Sequence, residues 1–128
     1  MTIELQLLVW SGILALVQML VAVMAANMQV GLPVLAGNRE RMPALTGWAA
    51  RATRAHLNML ENLVVFAIFV LVASFTGHIN ATTALGAEIF FWARLAYAII
   101  YVIGIPWLRT LSWAVSVAGM LLILSQLF

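Results

Sequence analysis

Four polar side chains are spaced to lie on one face of a long apolar segment, where charged residues are costly. Arg51, Arg54, Asn58 and Glu61 are separated by three, four and three residues, and a helix places residues at these spacings along one stripe. A charge near the centre of a bilayer costs about 2.5–3.5 kcal/mol on insertion scales and needs a partner. The stripe therefore indicates either contact with a polar ligand or pairing between helices.

A second polar stripe lies on the next apolar segment, where Arg94, Tyr97 and Tyr101 are spaced by three and four residues. Glu61 lies ten residues after Arg51, which is about 15 Å along a helix axis. Arg94 lies at a similar depth on the following antiparallel segment. We therefore expect a Glu61–Arg94 contact, within or between subunits.

Interfacial roles compete with a binding site for some of these residues. Arg51 and Arg54 can extend their heads to the membrane surface while their stems stay in apolar surroundings. Tyr97 and Tyr101 can belong to the aromatic belt at a membrane interface, but such a belt does not require helical register with Arg94. That register favours a site.

The elements that must position these stripes are membrane-spanning helices. The chain has 128 residues, of which 66% are hydrophobic and 8% charged, whereas soluble domains are about a quarter charged. Four crossings of about 20 residues each use most of this length. The sequence predicts an all-α integral membrane protein, a single four-helix unit with up-down topology. The predicted helices cover about residues 5–26, 49–75, 82–103 and 108–127.

The distribution of arginine predicts the orientation of the bundle. Arg39 and Arg41 lie in the long first loop, Arg51 lies beside it, and Arg109 lies in the third connection. Because an excess of arginine in short loops favours the cytoplasmic side, we expect both termini to face away from the cytoplasm.

Several functions are disfavoured by composition. The chain has no cysteine, which removes protein disulfides and thiolate metal sites. His56 and His78 are expected near opposite membrane faces, so one subunit cannot use them as a ligand pair, and we predict no metal site. Six arginines dispersed along the chain do not form a nucleic acid-binding patch.

The two stripes resemble the signature of a known family. The run RAHLNMLE over residues 54–61, followed by ARLAY over residues 93–97 and then Tyr101, resembles the second- and third-helix motifs of the MAPEG superfamily, the membrane-associated proteins in eicosanoid and glutathione metabolism. The resemblance covers essentially the whole chain, and the compact sequence is similar to bacterial members. It implies a homotrimer in the membrane, here a bacterial inner membrane, with glutathione bound between neighbouring subunits near the cytoplasmic face.

The resemblance also implies roles for individual residues. Arg109 corresponds to the arginine that stabilises the glutathione thiolate, and Tyr101 is a second candidate for this catalytic role. The residues implied to hold glutathione are Arg51, Arg54, Asn58, Glu61, Arg94 and Tyr97. Several arginines and one glutamate complement the two carboxylates and the ammonium group of glutathione.

Three functions remain in competition. The first is a glutathione-dependent transferase or peroxidase acting on a lipophilic small molecule dissolved in the membrane lipids. The alternative is a non-enzymatic protein of the same fold that binds a lipid or a membrane partner and uses the polar stripes for assembly. A proton-coupled drug exporter would require a carboxylate deep in the first helix, where the chain has only Glu4 at the start.

Overall fold

The fold is that of a computed structural model, which describes residues 1–128. It is entirely helical, as predicted. The helices are α1 (Ile3–Val30), α2 (Leu32–Ala36), α3 (Gly47–Thr76), α4 (Ala81–Ile103) and α5 (Pro106–Ser125). All except the short α2 are long and apolar enough to cross a membrane.

The helix ends coincide with residues that disfavour continuation of a helix. Gly77 and Gly104 adopt left-handed backbone conformations that end α3 and α4, a conformation that glycine adopts without steric cost. Asn80 begins α4 with a capping box, in which its side chain accepts hydrogen bonds from the first turn. Pro106 lies in the first turn of α5, where its missing N–H carries no penalty.

Helix α1 differs most from the predicted boundaries. It continues to Val30, one turn beyond the predicted end at residue 26, because Gly31 is the first residue that terminates it. The short helix α2 was not predicted and lies in the segment interpreted as one long loop. Pro33 lies in its first turn, so the turn residues that indicated a loop also permit this helix.

Contacts between α3 and α4 show that the two helices are antiparallel. Arg54 near the start of α3 bonds Tyr101 near the end of α4, whereas Phe66 further along α3 stacks on Phe90 at a centroid distance of 3.9 Å. The first of these contacts belongs to the end of the bundle that also carries Arg51 and Arg109, hereafter the arginine-rich end.

The opposite end holds both chain termini. Glu4 of α1 accepts a hydrogen bond from Thr83 of α4, and Asn80 donates to Gln126 after α5. Helix α1 is therefore parallel to α4, and α5 is antiparallel to α4. This confirms the up-down arrangement of the four long helices.

Helices α4 and α5 form the closest crossing in the bundle. A Cβ atom added to Gly86 would lie 2.5 Å from the carbonyl oxygen of Gly119, and one added to Gly119 would lie 2.6 Å from that of Gly86. Real Cβ atoms do not approach other atoms so closely, so both positions require glycine. The apolar core beside this crossing includes Phe66, Phe90 and Ile123, all fully buried.

Candidate functional site

The candidate site is built on the two tyrosines of α4. Tyr97 and Tyr101 lie one turn apart and are 4% and 9% exposed. Their rings meet edge to face at a centroid distance of 5.5 Å, a favourable arrangement for aromatic pairs. Together with Ala55 of α3 they form a small cluster of their own at the arginine-rich end, separate from the main apolar core.

Two arginines lie next to Tyr101. The Nε of Arg54 donates a hydrogen bond to the Tyr101 hydroxyl at 3.1 Å. The guanidinium carbon of Arg109, from the first turn of α5, lies 4.7 Å from the centroid of the same ring. Because the Tyr101 oxygen accepts from Arg54, its own hydrogen remains available to donate. This arrangement offers a hydroxyl donor and a cation to one anionic atom.

Arg94 and Glu4 are the two most buried charged residues of the bundle, each with 1% of its surface exposed. Arg94 is the one that belongs to the candidate site. Its Nη2 donates to Asn58 Oδ1 at 2.8 Å, and its guanidinium lies 4.1 Å from the Tyr97 ring centroid. Its Nε and Nη1 have no hydrogen-bond partner. Leaving a buried donor unpaired costs about 1–3 kcal/mol, and more for a charged group. Such a group is incomplete without a further partner.

The expected Glu61–Arg94 contact does not form within the chain. Arg94 bonds Asn58, which lies one turn before Glu61, and Asn62 also donates to the same Asn58 oxygen at 3.2 Å. Glu61 itself is exposed, because the α3 stripe curves from the α4 interface towards the outside of the bundle. Within one chain, Arg94 is therefore paired with the side-chain amide of Asn58 and not with the carboxylate of Glu61. The contact between subunits stays a prediction.

Arg51 bonds the backbone where α4 ends. Its Nε donates to the carbonyl oxygen of Val102 at 2.9 Å, and its side chain lies against Gly104, where an added Cβ would come within 3.3 Å of the Arg51 Nε. A cation at the C-terminus of a helix is also stabilised by the helix dipole. Arg51 therefore fixes the corner between α4 and α5, from which Arg109 projects.

Two adjoining cavities open beside these residues and share Tyr101 and Arg109. One of about 280 Å³ is lined by Asn58, Tyr97, Tyr101, Arg109, Thr110 and Trp113. The other, of about 120 Å³, is lined by Arg51, Arg54, Tyr101, Gly104, Ile105, Pro106 and Arg109. Of the eight residues predicted for the site, the cavities bring together six. Arg94 contacts the first cavity only through Asn58 and Tyr97, and Glu61 lies outside both.

Two lining residues were missed by reasoning from sequence. Thr110 and Trp113 line the first cavity but are not among the eight predicted site residues. Trp113 follows Arg109 by four residues, which places the two on one face of α5. This spacing is the feature of the sequence that could have indicated Trp113 as a site residue.

Comparison with known protein families places the chain in a sequence family. The model described as the MAPEG family matches residues 7–128, which is nearly the whole chain and includes every residue of the site. No curated protein matches the chain.

Proposed function

This chain belongs to the MAPEG family, and from that premise we propose that it is a glutathione-dependent transferase or peroxidase acting on lipophilic electrophiles. Family membership and four apolar helices make it an integral membrane protein of the glutathione and eicosanoid metabolism type. The proposed transferase or peroxidase activity is supported by the chemistry of the site.

The unpaired donors of buried Arg94 carry the proposal. A cation that is 1% exposed and has two N–H groups without a partner gains hydrogen bonds from any anion that reaches it past Asn58 and Tyr97, the residues between it and the first cavity. Glutathione has two carboxylates, and guanidinium groups bind carboxylates through paired hydrogen bonds. In the proposal, Arg94 and Arg54 hold carboxylates, Asn58 and Tyr97 hydrogen-bond the peptide, and Glu61 pairs with the ammonium group.

Arg109 and Tyr101 are the groups proposed to stabilise the thiolate. A free thiol has a pKa of about 8.5, and a neighbouring cation lowers it. In the transferase reaction, the thiolate forms a carbon–sulfur bond and expels the leaving group with its electron pair. In the peroxidase reaction, the sulfur attacks the O–O bond and releases an alcohol, and a second glutathione then yields glutathione disulfide and water. No protein nucleophile is needed.

We place the site at the boundary between subunits of a homotrimer. Glu61 is exposed, although it lies 14 residues into α3, where an unpaired carboxylate in lipid is costly. A neighbouring copy that covers the outer side of the site removes this cost and encloses the ligand. The proposal also puts the arginine-rich end at the cytoplasmic face of a bacterial inner membrane, since arginine favours that side.

One observation favours the non-enzymatic alternative. Within the chain, Arg51 bonds Val102, Arg54 bonds Tyr101 and Arg94 bonds Asn58. Each bond joins α3 to α4, so these residues contribute to helix packing even without a ligand. A protein of the same fold that binds a lipid or a membrane partner would have the same contacts.

The test is glutathione binding by the detergent-solubilised protein, followed by turnover with a chloronitroaromatic electrophile. We expect saturable binding in the millimolar range or tighter, weakened by Glu61→Ala or Arg94→Met. Arg41→Ala is the matched control, because Arg41 is an exposed loop arginine outside both cavities. Absence of binding at millimolar glutathione would overturn the enzymatic proposal and favour the assembly role.

A further inference from the structure

Asn62 is a polar side chain beside the candidate site that has no part in the proposed function. It lies four residues after Asn58 on α3 and lines neither of the two cavities. Its Nδ2 donates to the backbone carbonyl oxygen of Asn58 at 2.8 Å and to the side-chain oxygen Oδ1 of Asn58 at 3.2 Å. Because Asn58 lines the cavity of about 280 Å³, Asn62 is connected to the site through Asn58.

The chemistry of their partners fixes the direction of both amides. The guanidinium of Arg94 can only donate hydrogen bonds, so the Asn58 atom that lies 2.8 Å from Arg94 Nη2 must be the oxygen. The backbone carbonyl oxygen of Asn58 can only accept, so the Asn62 atom that meets it must be the nitrogen. Turning over either amide would place two donors or two acceptors against each other.

These contacts leave the nitrogen of the Asn58 side chain free. Oδ1 accepts from both Arg94 and Asn62, which uses the two lone pairs of an amide oxygen. Nδ2 has no partner in the chain, and it retains accessible surface, unlike the enclosed Nε and Nη1 of Arg94. The amide of Asn58 therefore offers a ligand in the cavity two N–H donors and no acceptor.

Asn62 contributes the second of the two bonds on this oxygen. With Arg94 alone, the Asn58 amide would be free to swing about a single hydrogen bond. Two donors on one oxygen define the plane of the amide, because the lone pairs of such an oxygen lie in that plane. A donor that is already fixed loses less conformational entropy when a ligand binds, and hydrogen bonds in a chain strengthen one another. The contact with Asn62 thus makes Nδ2 a better donor.

We propose that Asn62 is a positioning residue, which orients the Asn58 amide so that its N–H groups meet a carbonyl or carboxylate oxygen of the ligand. The role rests on the proposed function, in which the ligand is glutathione. Asn58 then bonds an oxygen of the tripeptide, and neither its ammonium group nor a peptide N–H. Arg94 holds the same amide from the other side.

Asn62→Thr separates the two bonds of Asn62. On the same helix, the hydroxyls of Thr53 and Ser74 donate to the carbonyl oxygen four residues earlier, so the variant keeps the backbone bond and loses the bond to Oδ1. We expect glutathione binding to the detergent-solubilised protein to weaken about fivefold, the loss of one net hydrogen bond, at an unchanged unfolding temperature. Ser74→Ala is the matched control. Ser74 lies 12 residues beyond Asn62, about 18 Å along the helix, and its loss should leave binding unchanged.

A double-mutant cycle with Asn58→Leu tests whether Asn62 acts through Asn58. Asn58→Leu alone should weaken glutathione binding, and Asn62→Thr should then add nothing further, whereas a general effect on helix packing would add its full factor. Asn58→Asp tests the need for a donor. Its carboxylate still accepts from Arg94 and Asn62 but presents an acceptor to the ligand, so binding should weaken by about tenfold.

The outcomes distinguish this role from the proposed function. If the unmodified protein binds glutathione, equal affinity in Asn62→Thr, additive losses in the cycle or unweakened binding by Asn58→Asp would overturn the positioning role alone. Absence of binding by the unmodified protein would overturn the proposed function. The orienting contact is then decided by the NMR signal of the Asn58 side-chain amide in the ligand-free protein, which should shift in Asn62→Thr and not in Ser74→Ala. An unshifted signal in Asn62→Thr would overturn the contact.

Discussion

The two halves of α4 satisfy their polar groups in opposite ways. In residues 83–90, the Thr83 hydroxyl donates to Glu4, Gly86 contacts α5 at backbone distance and Phe90 stacks on Phe66. In residues 94–101, buried Arg94 leaves two N–H groups without a partner, and cavities open beside Tyr97 and Tyr101.

This difference separates stability from binding along one helix. The first half is closely packed, and close packing makes any change of volume costly. The second half retains unsatisfied donors and empty volume, a combination that costs stability and is expected at functional sites. Substitutions in residues 83–90 and their neighbours should therefore change stability, and those around residues 94–101 should change binding or turnover.

The largest expected effect is on catalysis at Arg109. Arg109→Ala is expected to lower turnover of glutathione with a chloronitroaromatic electrophile by about 100-fold, the loss typical of one stabilising group at a developing or bound anion. Glutathione affinity should fall by much less, because the thiol binds before it ionises. Measurement of kcat beside the glutathione Kd checks this.

A pH profile sharpens the assignment of Arg109. Without the cation, the bound thiol should ionise near its ordinary pKa of about 8.5. Activity of Arg109→Ala should then rise with pH through this value, whereas the unmodified protein reaches its plateau at lower pH. Equal losses of affinity and turnover, with an unchanged pH profile, would contradict the proposed role of Arg109 at the thiolate.

Gly86→Ala tests the close packing of residues 83–90 of α4. Its Cβ would lie 2.5 Å from the Gly119 carbonyl oxygen, so α4 and α5 must separate. Overpacking of this kind costs about 1–3 kcal/mol, which a denaturant titration of the detergent-solubilised protein measures. Gly12→Ala is the matched control, since nothing lies within 4 Å of its added Cβ. Equal stability of the two variants would show that the crossing is not closely packed.

Arg94→Met tests whether residues 94–101 of α4 bind a ligand or only contribute to helix packing. Methionine removes the unpaired buried donors while keeping an apolar side chain of similar length. We expect glutathione binding to weaken by about tenfold, the loss of a charge-assisted hydrogen bond, while the unfolding temperature stays level or rises. A fall in unfolding temperature with unchanged binding would favour the assembly role.

The sequence was sufficient to predict the fold because the signals were strong and local. Long apolar segments separated by Gly77 and by Gly104 with Pro106 predicted the ends of the helices near their observed positions. Helix α2 was missed because its five residues are too few for hydrophobic periodicity. Proline and glycine in the same segment indicated a loop.

The site was only partly predictable, because helical spacing identifies a face of a helix and not the group that meets it. The register of Tyr97 and Tyr101 with Arg94 correctly placed all three on the buried face of α4. The predicted partner of Arg94 was wrong within the chain. Glu61 was expected because it lies at a similar depth in the membrane, but the rotation of α3 about its axis brings Asn58 to Arg94 instead. The contact between Gly86 and Gly119 could not be predicted from the sequence, because the two glycines are 33 residues apart and meet only where α4 crosses α5.

The smallest expected effect lies at the start of α4, where the exposed residue Asn80 caps the helix at the end opposite the candidate site. The Asn80 side chain accepts hydrogen bonds from the backbone N–H groups of Thr82 and Thr83, and it also donates to Gln126. Asn80→Ala should cost about 1 kcal/mol of unfolding free energy, the usual value of such a cap. Gln126→Ala keeps the cap and removes the contact with Asn80, together with an exposed bond to its neighbour Ser125, and should cost less. Glutathione binding should be unchanged in both variants, since a binding defect from this end of the helix would mean that the two halves of α4 are coupled.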